Sequence, residues 1–296
     1  MSDAPPDTGS PERIAKRLAR AGVASRRGAE AMIAAGRIKV NGKVLTSPAL
    51  NVTDADTILV DDAPLPTAQA ARLWLYHKPA GLVTTERDEK GRETVFANLP
   101  EGLPRVMSVG RLDLNSEGLL LLTNDGGVKR TLELPSTGWL RKYRVRVNGT
   151  PDDAVLAPLR AGITVDGERF QPMDIRLDRQ QGANAWLTVG LREGKNREIR
   201  RAMAAIDLSV NRLIRVSYGP FQLRDLKPGE VEEVKARVLA DQMGWSSKPV
   251  LKPKTRRTSQ PKPAQGNPPR GATKGRPRTG KDAPNRGGTK PRPKRG

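Results

Sequence analysis

The stretch VGRLDLNSEGLLLLTNDG, residues 109–126, places three acidic side chains around a run of four leucines in a chain whose net charge is +21. The apolar run that ends at Gly110 and the leucine run predict two strands, joined by a loop over residues 111–117. Functional side chains concentrate in loops held between rigid strands. Asp113, close to Arg111, is therefore a candidate site residue, although an isolated aspartate in a loop more often hydrogen-bonds its own backbone.

Short apolar runs of the same kind recur on both sides of this stretch. They are LWLYHKP, RVMSVG, KYRVRVNG, MDIRLD, AWLTVGL and RLIRVSY, each ended by a turn-forming residue. Two or three helices are expected between them, and the clearest is NREIRRAMAAI, with Asn196 as its N-cap. Residues 72–240 are therefore expected to form an α+β domain on one large mixed or antiparallel sheet.

A smaller module is predicted over residues 10–62. Its first helix is expected to begin with Ser10 as N-cap and Pro11 at the first helical position, and its second helix with Ser25 as N-cap. Asn41-Gly42, between alternating apolar and polar residues, predicts a tight hairpin. The module is thus two short helices plus a hairpin, and residues 63–71 are expected to be a linker.

Basic side chains of this module fall off the apolar stripe of the first helix or at the starts of helices and strands. They are Arg13, Lys16, Arg17, Arg20, Arg26, Arg27 and Lys39, together with Arg37. Charged residues at such positions often form ordinary solvated faces. The alternative is a single basic face that binds phosphate groups.

Residues 246–296 carry 16 Lys/Arg and one Asp, so +15 of the net charge of +21 lies there. The segment has ten prolines, no aromatic residue and few aliphatic ones, so burial of apolar surface cannot offset its ordering entropy. A disordered basic tail is predicted. It is expected to neutralise phosphates without reading sequence. A solubilising tail without a partner and attraction to an anionic membrane surface are the alternatives.

The composition excludes several classes of chemistry. There is no Cys and one His, so thiolate nucleophiles, Cys-ligated zinc and paired imidazoles are ruled out, and any chemistry must use Asp, Glu, Tyr, Ser, Thr, Lys or Arg. No run approaches the roughly 20 apolar residues that span a bilayer, and the first twelve residues do not form a signal peptide. The expected setting is the cytoplasm, without a membrane partner.

The long motif GRLDLNSEGLLLLTNDG resembles the catalytic motif of pseudouridine synthases of the RsuA/RluB type, which isomerise uridines in ribosomal RNA. HKPAGLVTT, RKYRVRVNG, EGKNREIRRAM and LIRVSYGPFQL follow the same family in the same order. The segment from RIAKRLARAG to about ILVDD resembles an S4 RNA-binding domain, which favours the phosphate-binding interpretation of the basic residues. Together the resemblance covers about residues 12–240.

The resemblance implies roles for individual residues. Asp113 occupies the position of the catalytic aspartate, Tyr143 that of the tyrosine that stacks on the target base, and Arg200 that of the arginine paired with the aspartate, while Arg111 matches the basic residue just before it. Glu117 and Asp125 receive no chemical role, and Asp125-Gly126 is interpreted as a turn at the end of the leucine strand.

The implied partner is ribosomal RNA or a pre-ribosomal particle, with the enzyme acting as a monomer. The S4 domain and the basic tail favour large-subunit (23S) rRNA, and small-subunit rRNA stays open. A non-catalytic ribosome-assembly factor is the main alternative, but RNA binding alone gives no reason to hold a carboxylate among phosphates. A metal-dependent nuclease would need clustered carboxylates, which these motifs lack.

Overall fold

The computed structural model describes residues 10–245, and the predicted tail, residues 246–296, lies outside them. The first part of the described chain is a small α+β unit. Its elements are β1 (Glu12–Arg13), α1 (Ile14–Arg20), α2 (Arg26–Ala34), β2 (Ile38–Val40), β3 (Lys43–Val44), β4 (Asn51–Val52), β5 (Ile58–Val60) and β6 (Ala63–Pro64). α1 and α2 pack against the four-stranded sheet β3-β2-β5-β6 around a buried core that includes Ile14, Leu18 and Ile33.

The predicted hairpin is confirmed: Asn41 and Gly42 both have positive φ and join β2 to β3. Ser25 caps α2 as expected, since its hydroxyl accepts a hydrogen bond from the Gly28 amide at 2.9 Å. The predicted start of α1 is wrong. Ser10 does not cap it, because residues 12 and 13 pair with β4 and hold the chain extended until Ile14.

The rest of the described chain forms a larger unit on one nine-stranded sheet. Its elements are β7 (Leu73–Lys78), β8 (Met107–Val109), β9 (Ser116–Thr123), α3 (Gly126–Glu133), β10 (Arg141–Asn148), α4 (Asp153–Ala161), β11 (Thr164–Val165), β12 (Glu168–Arg169), β13 (Asp174–Gln181), β14 (Asn184–Leu191), α5 (Glu198–Ala204), β15 (Ser209–Tyr218), β16 (Phe221–Gln222), β17 (Val231–Glu233) and α6 (Ala236–Gln242). All seven predicted strands are present. Four α-helices occur, where two or three were expected.

The strand order is β13-β14-β10-β15-β9-β7-β17, with β16 beside β15 and β8 beside β9. Every pairing in this sheet is antiparallel except that of β9 with β15, so the sheet is mixed, as predicted. The parallel pairing depends on Gly118, whose φ is +99°. A Cβ at this position would lie 2.3 Å from the carbonyl oxygen of Arg215, so only glycine permits this close approach.

The alternation of the strands divides their side chains between two faces. One face of the sheet packs on α4 and α5 around a core that contains Leu120, Val145 and Leu187. At the β7–β9 end, the other face of the sheet packs against α3, around Leu119 and Leu121 of β9 and Val128 of α3. Within residues 10–245, no helix is long and apolar enough to cross a membrane.

Two local predictions need correction. Asp125 does not form a simple turn: it caps α3, because its carboxylate accepts hydrogen bonds from the amides of Gly127 and Val128 at 2.7 and 2.9 Å. Asn196 does not cap α5. The chain turns at Arg197, which has φ +48° and no capping side-chain bond, and the helix begins at Glu198.

Candidate active site

The loop between β8 and β9 carries Asp113 and is held at several points along its backbone. The amide of Gly110 donates to the Glu133 carboxylate at 2.6 Å. The Thr84 hydroxyl donates to the carbonyl oxygen of Leu112 at 2.8 Å, and the Leu112 amide returns a bond to the same hydroxyl at 3.3 Å. Leu112 is buried, so the loop is anchored on both sides of Arg111. The half-buried Asp113 therefore extends from a backbone with little freedom.

Lys78, at the end of β7, holds the second half of the loop. Its side chain is completely buried, and its Nζ donates to the carbonyl oxygens of Pro79 and Ser116 at 2.9 Å each and of Leu114 at 3.4 Å. Burial lowers the pKa of Lys78 to about 8, while the negative charges of Asp113 and Glu117 oppose that shift. A buried cation thus sits beneath the loop and within electrostatic range of its carboxylate.

Arg200 of α5 clamps the same loop from another side. Its Nη2 donates to the carbonyl oxygen of Asn115 at 2.9 Å and its Nη1 to that of Val210 at 3.1 Å. Burial lowers the pKa of Arg200, the positive charge of Arg197 adds to this shift, and the charge of Asp113 opposes it. The guanidinium is therefore close to the carboxylate, but it bonds the backbone.

The predicted ion pair between Arg200 and Asp113 is absent from the described structure. Neither Arg200 nor the exposed Arg111 lies within 4.0 Å of the Asp113 carboxylate in an ion pair, and no hydrogen bond to that carboxylate is present among residues 10–245. The carbonyl oxygens of residues 115 and 210 bind the Nη2 and Nη1 groups of Arg200, while its Nε is buried without a hydrogen-bond partner among residues 10–245. The carboxylate is left free to face the cleft.

Tyr143 lies on the buried face of β10, directly opposite Arg215 of β15 and Val189 of β14. It is 8% exposed and lines the cleft. Arg215 is 3% exposed, and its Nε donates to the carbonyl oxygen of Leu119 at 2.7 Å. Its Nη2 is buried without a hydrogen-bond partner in the described chain, and its guanidinium lies 5.3 Å from the centroid of the Tyr218 ring.

Two carboxylates occur at the start of α5. Glu198 is buried, and its Oε2 accepts a hydrogen bond from the Lys195 amide at 3.0 Å. Burial, and after it the neighbouring carboxylate of Glu193, raise the pKa of Glu198 to about 7. The Glu193 carboxylate accepts a hydrogen bond from the Gln171 amide, and this bond and the charge of Lys195 lower its pKa against the opposing effect of burial. Of the two carboxyl groups, Glu198 therefore keeps its proton to the higher pH.

These groups open into one cleft of about 1310 Å³. It is lined by the loop from Gly110 to Asp113, by Tyr143 and Arg215, and by the segment 194–199. Three predicted RNA-binding residues of the small unit also line it, namely Lys16, Arg20 and Arg26. The cleft that contains Asp113 is therefore lined by several cationic side chains.

The remaining predicted RNA-binding residues do not share this cleft. Arg17 binds Asp54 and Glu12, and Glu12 also binds Lys16 and Arg20. Two further ion pairs of the small unit are Arg37 with Asp61 and Lys39 with Asp62. Arg13 donates to the carbonyl oxygen of Ala49, and Arg27 is exposed. The single basic face expected from the sequence is thus divided, and acidic neighbours neutralise part of it.

Glu117 has a structural partner. Its carboxylate accepts two hydrogen bonds from Arg212 at 2.9 and 2.8 Å, and it lies in β9 and not in the loop. This bidentate pair lowers the pKa of Glu117. No group of three or more His, Cys, Asp or Glu side chains that could hold a metal ion occurs within the residues that the structure describes.

Sequence reasoning singled out neither Lys78 nor Arg215 nor Glu198 as a site residue. Lys78 lay within a motif of the family resemblance, HKPAGLVTT, and the Lys-Pro pair at the end of an apolar strand was the available signal. Arg215 interrupts the apolar run RLIRVSY at a position that alternation assigns to the buried face. A buried cation predicted in this way requires a partner or a ligand.

Comparison with known proteins agrees with this geometry. The sequence profile described as RNA pseudouridylate synthase matches residues 72–205, and the S4 domain profile matches residues 12–58. A protein of Rickettsia bellii named as an uncharacterized RNA pseudouridine synthase is 49% identical over 223 residues, which is 75% of this chain and 96% of the relative. The chain belongs to the RNA pseudouridine synthase family. This pseudouridine synthase is an isomerase that acts on RNA, and it is of the RsuA/RluB type, with an S4 domain before the catalytic domain.

Two further similarities bear on this pseudouridine synthase. A protein of Haemophilus influenzae named ribosomal large subunit pseudouridine synthase B is 40% identical over 230 residues, covering 75% of this chain and 64% of the relative. A crystal structure of a pseudouridylate synthase superposes with a TM-score of 0.54 at 24% identity, over 78% of this chain and 99% of the other. That structural likeness confirms the α+β fold.

Proposed function

We propose that this pseudouridine synthase converts a uridine of large-subunit (23S) ribosomal RNA into pseudouridine, with Asp113 as the catalytic residue. The observation that carries the assignment is a half-buried carboxylate on a clamped loop, open to a cleft lined by cations and by Tyr143. The name of the Haemophilus influenzae relative supports the large subunit.

The reaction needs no cofactor. The bond between ribose C1′ and uracil N1 breaks, the uracil turns while it stays bound, and C1′ bonds to C5. C5 loses its proton and N1 gains one, so that the product is an isomer of the substrate. Asp113 acts on the ribose or on the base. Because its carboxylate makes no ion pair, its oxygens are free to approach the substrate, while the loop around it is fixed by Lys78 and Arg200.

The uridine must leave its base stack to reach the loop. Tyr143 presents a ring and a hydroxyl at the cleft and is proposed to hold the extruded base by stacking. Arg111, which is exposed next to the buried Leu112, is proposed to contact the RNA beside that nucleotide, and Arg200 to fix the loop. The unpaired donor of Arg215 adds a binding group for an oxygen of the substrate.

Lys16, Arg20 and Arg26 are proposed to bind the RNA backbone that leads into the cleft, because they line it together with the catalytic loop. Arg13, Arg17, Arg27 and Lys39 are proposed to extend this contact over the S4 domain. Such phosphate contacts position the RNA without reading its sequence.

Tritium release from 5-tritiated uridine tests the assignment. Wild type and Asp113→Asn are compared on separate transcripts of large- and small-subunit rRNA, with binding measured in parallel. We expect wild type to release tritium from the large-subunit transcript alone, and Asp113→Asn to bind it equally well without turnover. Substantial residual turnover in the variant would exclude Asp113 as the catalytic residue. Release from the small-subunit transcript would reassign the substrate.

A further inference from the structure

The sheet presents a basic surface on the side opposite Tyr143. In β10 the buried residues Tyr143, Val145 and Val147 alternate with Lys142, Arg144 and Arg146, which are exposed or half-buried. Successive side chains of a strand point to opposite faces. The three cations therefore lie on the face that does not contain the catalytic cleft. We call this surface, at strands β13, β14, β10 and β15, the outer face.

The strand register collects further cations on the outer face. Arg179, Trp186, Arg146 and Arg212 lie opposite one another in one row across the four strands, and Arg176, Thr188, Arg144 and Ile214 form the next row. Neighbouring strands are about 4.8 Å apart, and residues two apart in a strand are separated by about 7 Å. Six cationic side chains, counting Lys142, thus occupy a compact patch.

Acidic side chains neutralise only part of the patch. Asp178 binds Arg176, and Glu117 binds Arg212. Within residues 10–245, Lys142, Arg144, Arg146 and Arg179 have no acidic partner within 4.0 Å. The guanidinium of Arg144 instead lies over the ring of Trp186, 4.8 Å from its centroid. This contact holds the cation in place while its outward donors face solvent.

Part of the charge on the outer face stays unpaired. Arg146 lies directly opposite Arg212 on the neighbouring strand, and Glu117 pairs with Arg212 and not with Arg146. The half-buried Trp186 adds apolar surface among these cations, and Lys142 and Arg144 beside it are exposed. Unpaired charge and exposed apolar surface oppose stability and are expected at binding surfaces.

We propose that the outer face binds the phosphate backbone of an RNA segment other than the one that enters the cleft. Cations spaced along two rows match a polyanion, and the guanidinium held on Trp186 is suited to bidentate contact with a phosphate. The contact makes a large folded RNA a better substrate than a short one, because both faces of the sheet bind it at the same time. The proposed contact rests on the proposed function in one respect only: the RNA probe chosen for its test is the large-subunit rRNA transcript.

The test uses the full chain with the double variant Arg144→Ala/Arg146→Ala and the large-subunit rRNA transcript as probe. The control Lys235→Ala/Arg237→Ala removes two exposed cations at α6, at the other end of the sheet. The variant is expected to weaken binding about tenfold at moderate salt and to reduce the slope of log affinity against log salt by about 1.5, since each lost phosphate contact contributes roughly 0.7 to 0.9. At saturating RNA its kcat stays at the wild-type value.

A second variant, Arg144→Lys/Arg146→Lys, keeps the charges and is expected to recover most of the binding. Binding no weaker than that of the control would overturn the proposal, and so would a fall in kcat at saturation, which would connect these side chains to the cleft. If Arg144→Ala/Arg146→Ala binds the transcript as wild type does but binds ribosomal particles more weakly, the outer face binds a protein, and the proposed RNA contact is refuted. Binding is measured apart from turnover, so a failure of the Asp113 assignment leaves this result interpretable.

Discussion

The carboxyl pair at the start of α5 predicts that the stability of this enzyme depends on pH through Glu198. The perturbation is Glu198→Gln, which keeps the shape of the side chain. The amide oxygen can still accept the hydrogen bond from the Lys195 amide, and the amide nitrogen takes the place of Oε1, which is buried without a hydrogen-bond partner in the described chain. The variant removes only the ability to ionise at this site.

The magnitude follows from the raised pKa. Glu198 has a pKa of about 7 in the folded chain against 4.5 for an unperturbed glutamate, so the folded state binds more protons than the unfolded state between these values. Stability is therefore full below about pH 4.5 and falls as pH rises through about 7. A pKa difference of about 2.5 corresponds to at most about 3.4 kcal/mol, and the lowered pKa of Glu193 offsets part of it. We expect a net loss of about 1–3 kcal/mol.

Urea unfolding at a series of pH values from about 4 to about 8 measures this effect. Wild type and Glu198→Gln should have similar free energies of unfolding near pH 4, and the variant should be the more stable by about 1–3 kcal/mol near pH 8. Glu89→Gln, which removes an exposed charge, is the matched control and should follow wild type. Parallel curves for Glu198→Gln and wild type would refute the assignment of a protonated Glu198.

Two further substitutions test how the catalytic loop is held. Lys78→Met leaves the carbonyl oxygens of Leu114 and Ser116 without their buried donor. A loop displaced by about 1 Å is expected to lower kcat by about tenfold to a hundredfold, with a smaller change in KM. Wild-type values in steady-state kinetics would show that the hydrogen bonds of Lys78 are dispensable. Gly118→Ala should destabilise the chain by about 3 kcal/mol or more in urea unfolding. The control Gly126→Ala, with no atom within 4 Å of the added methyl group, should change stability by less than about 1 kcal/mol. Equal effects would show that β9 and β15 can separate without loss of stability.

The sequence predicts local structure well where the pattern is local. Short apolar runs ended by turn-forming residues identified all seven predicted strands of the large sheet, and Asn41-Gly42 identified the hairpin. It failed at the start of α1, where pairing with residues 51 and 52 decides the backbone, and at α5, where the turn at Arg197 displaces the expected cap. Those outcomes depend on contacts distant in the chain, which a local pattern does not contain.

The candidate active site shows the same difference between features that a local pattern predicts and contacts that join distant parts of the chain. The loop with Asp113 was predictable because its motif is contiguous. The contact of Arg200 with the carbonyl oxygen of Asn115 joins residues 85 positions apart, and it exists only because β15, which follows α5, pairs in parallel with β9. The family resemblance placed Arg200 near the aspartate, but the bond to backbone in place of carboxylate required the three-dimensional structure.

This bonding has a chemical consequence. A bidentate ion pair would hold both oxygens of Asp113 and would have to break before the carboxylate reached a ribose. Here the Nζ of Lys78 and the two Nη groups of Arg200 bind carbonyl oxygens, so the two cations fix the loop while the carboxylate stays open to the cleft. The charge of Asp113 in turn opposes the loss of a proton from the buried Lys78 and the half-buried Arg200. The clamp therefore holds the loop without a bond to the carboxylate that the reaction would need to break.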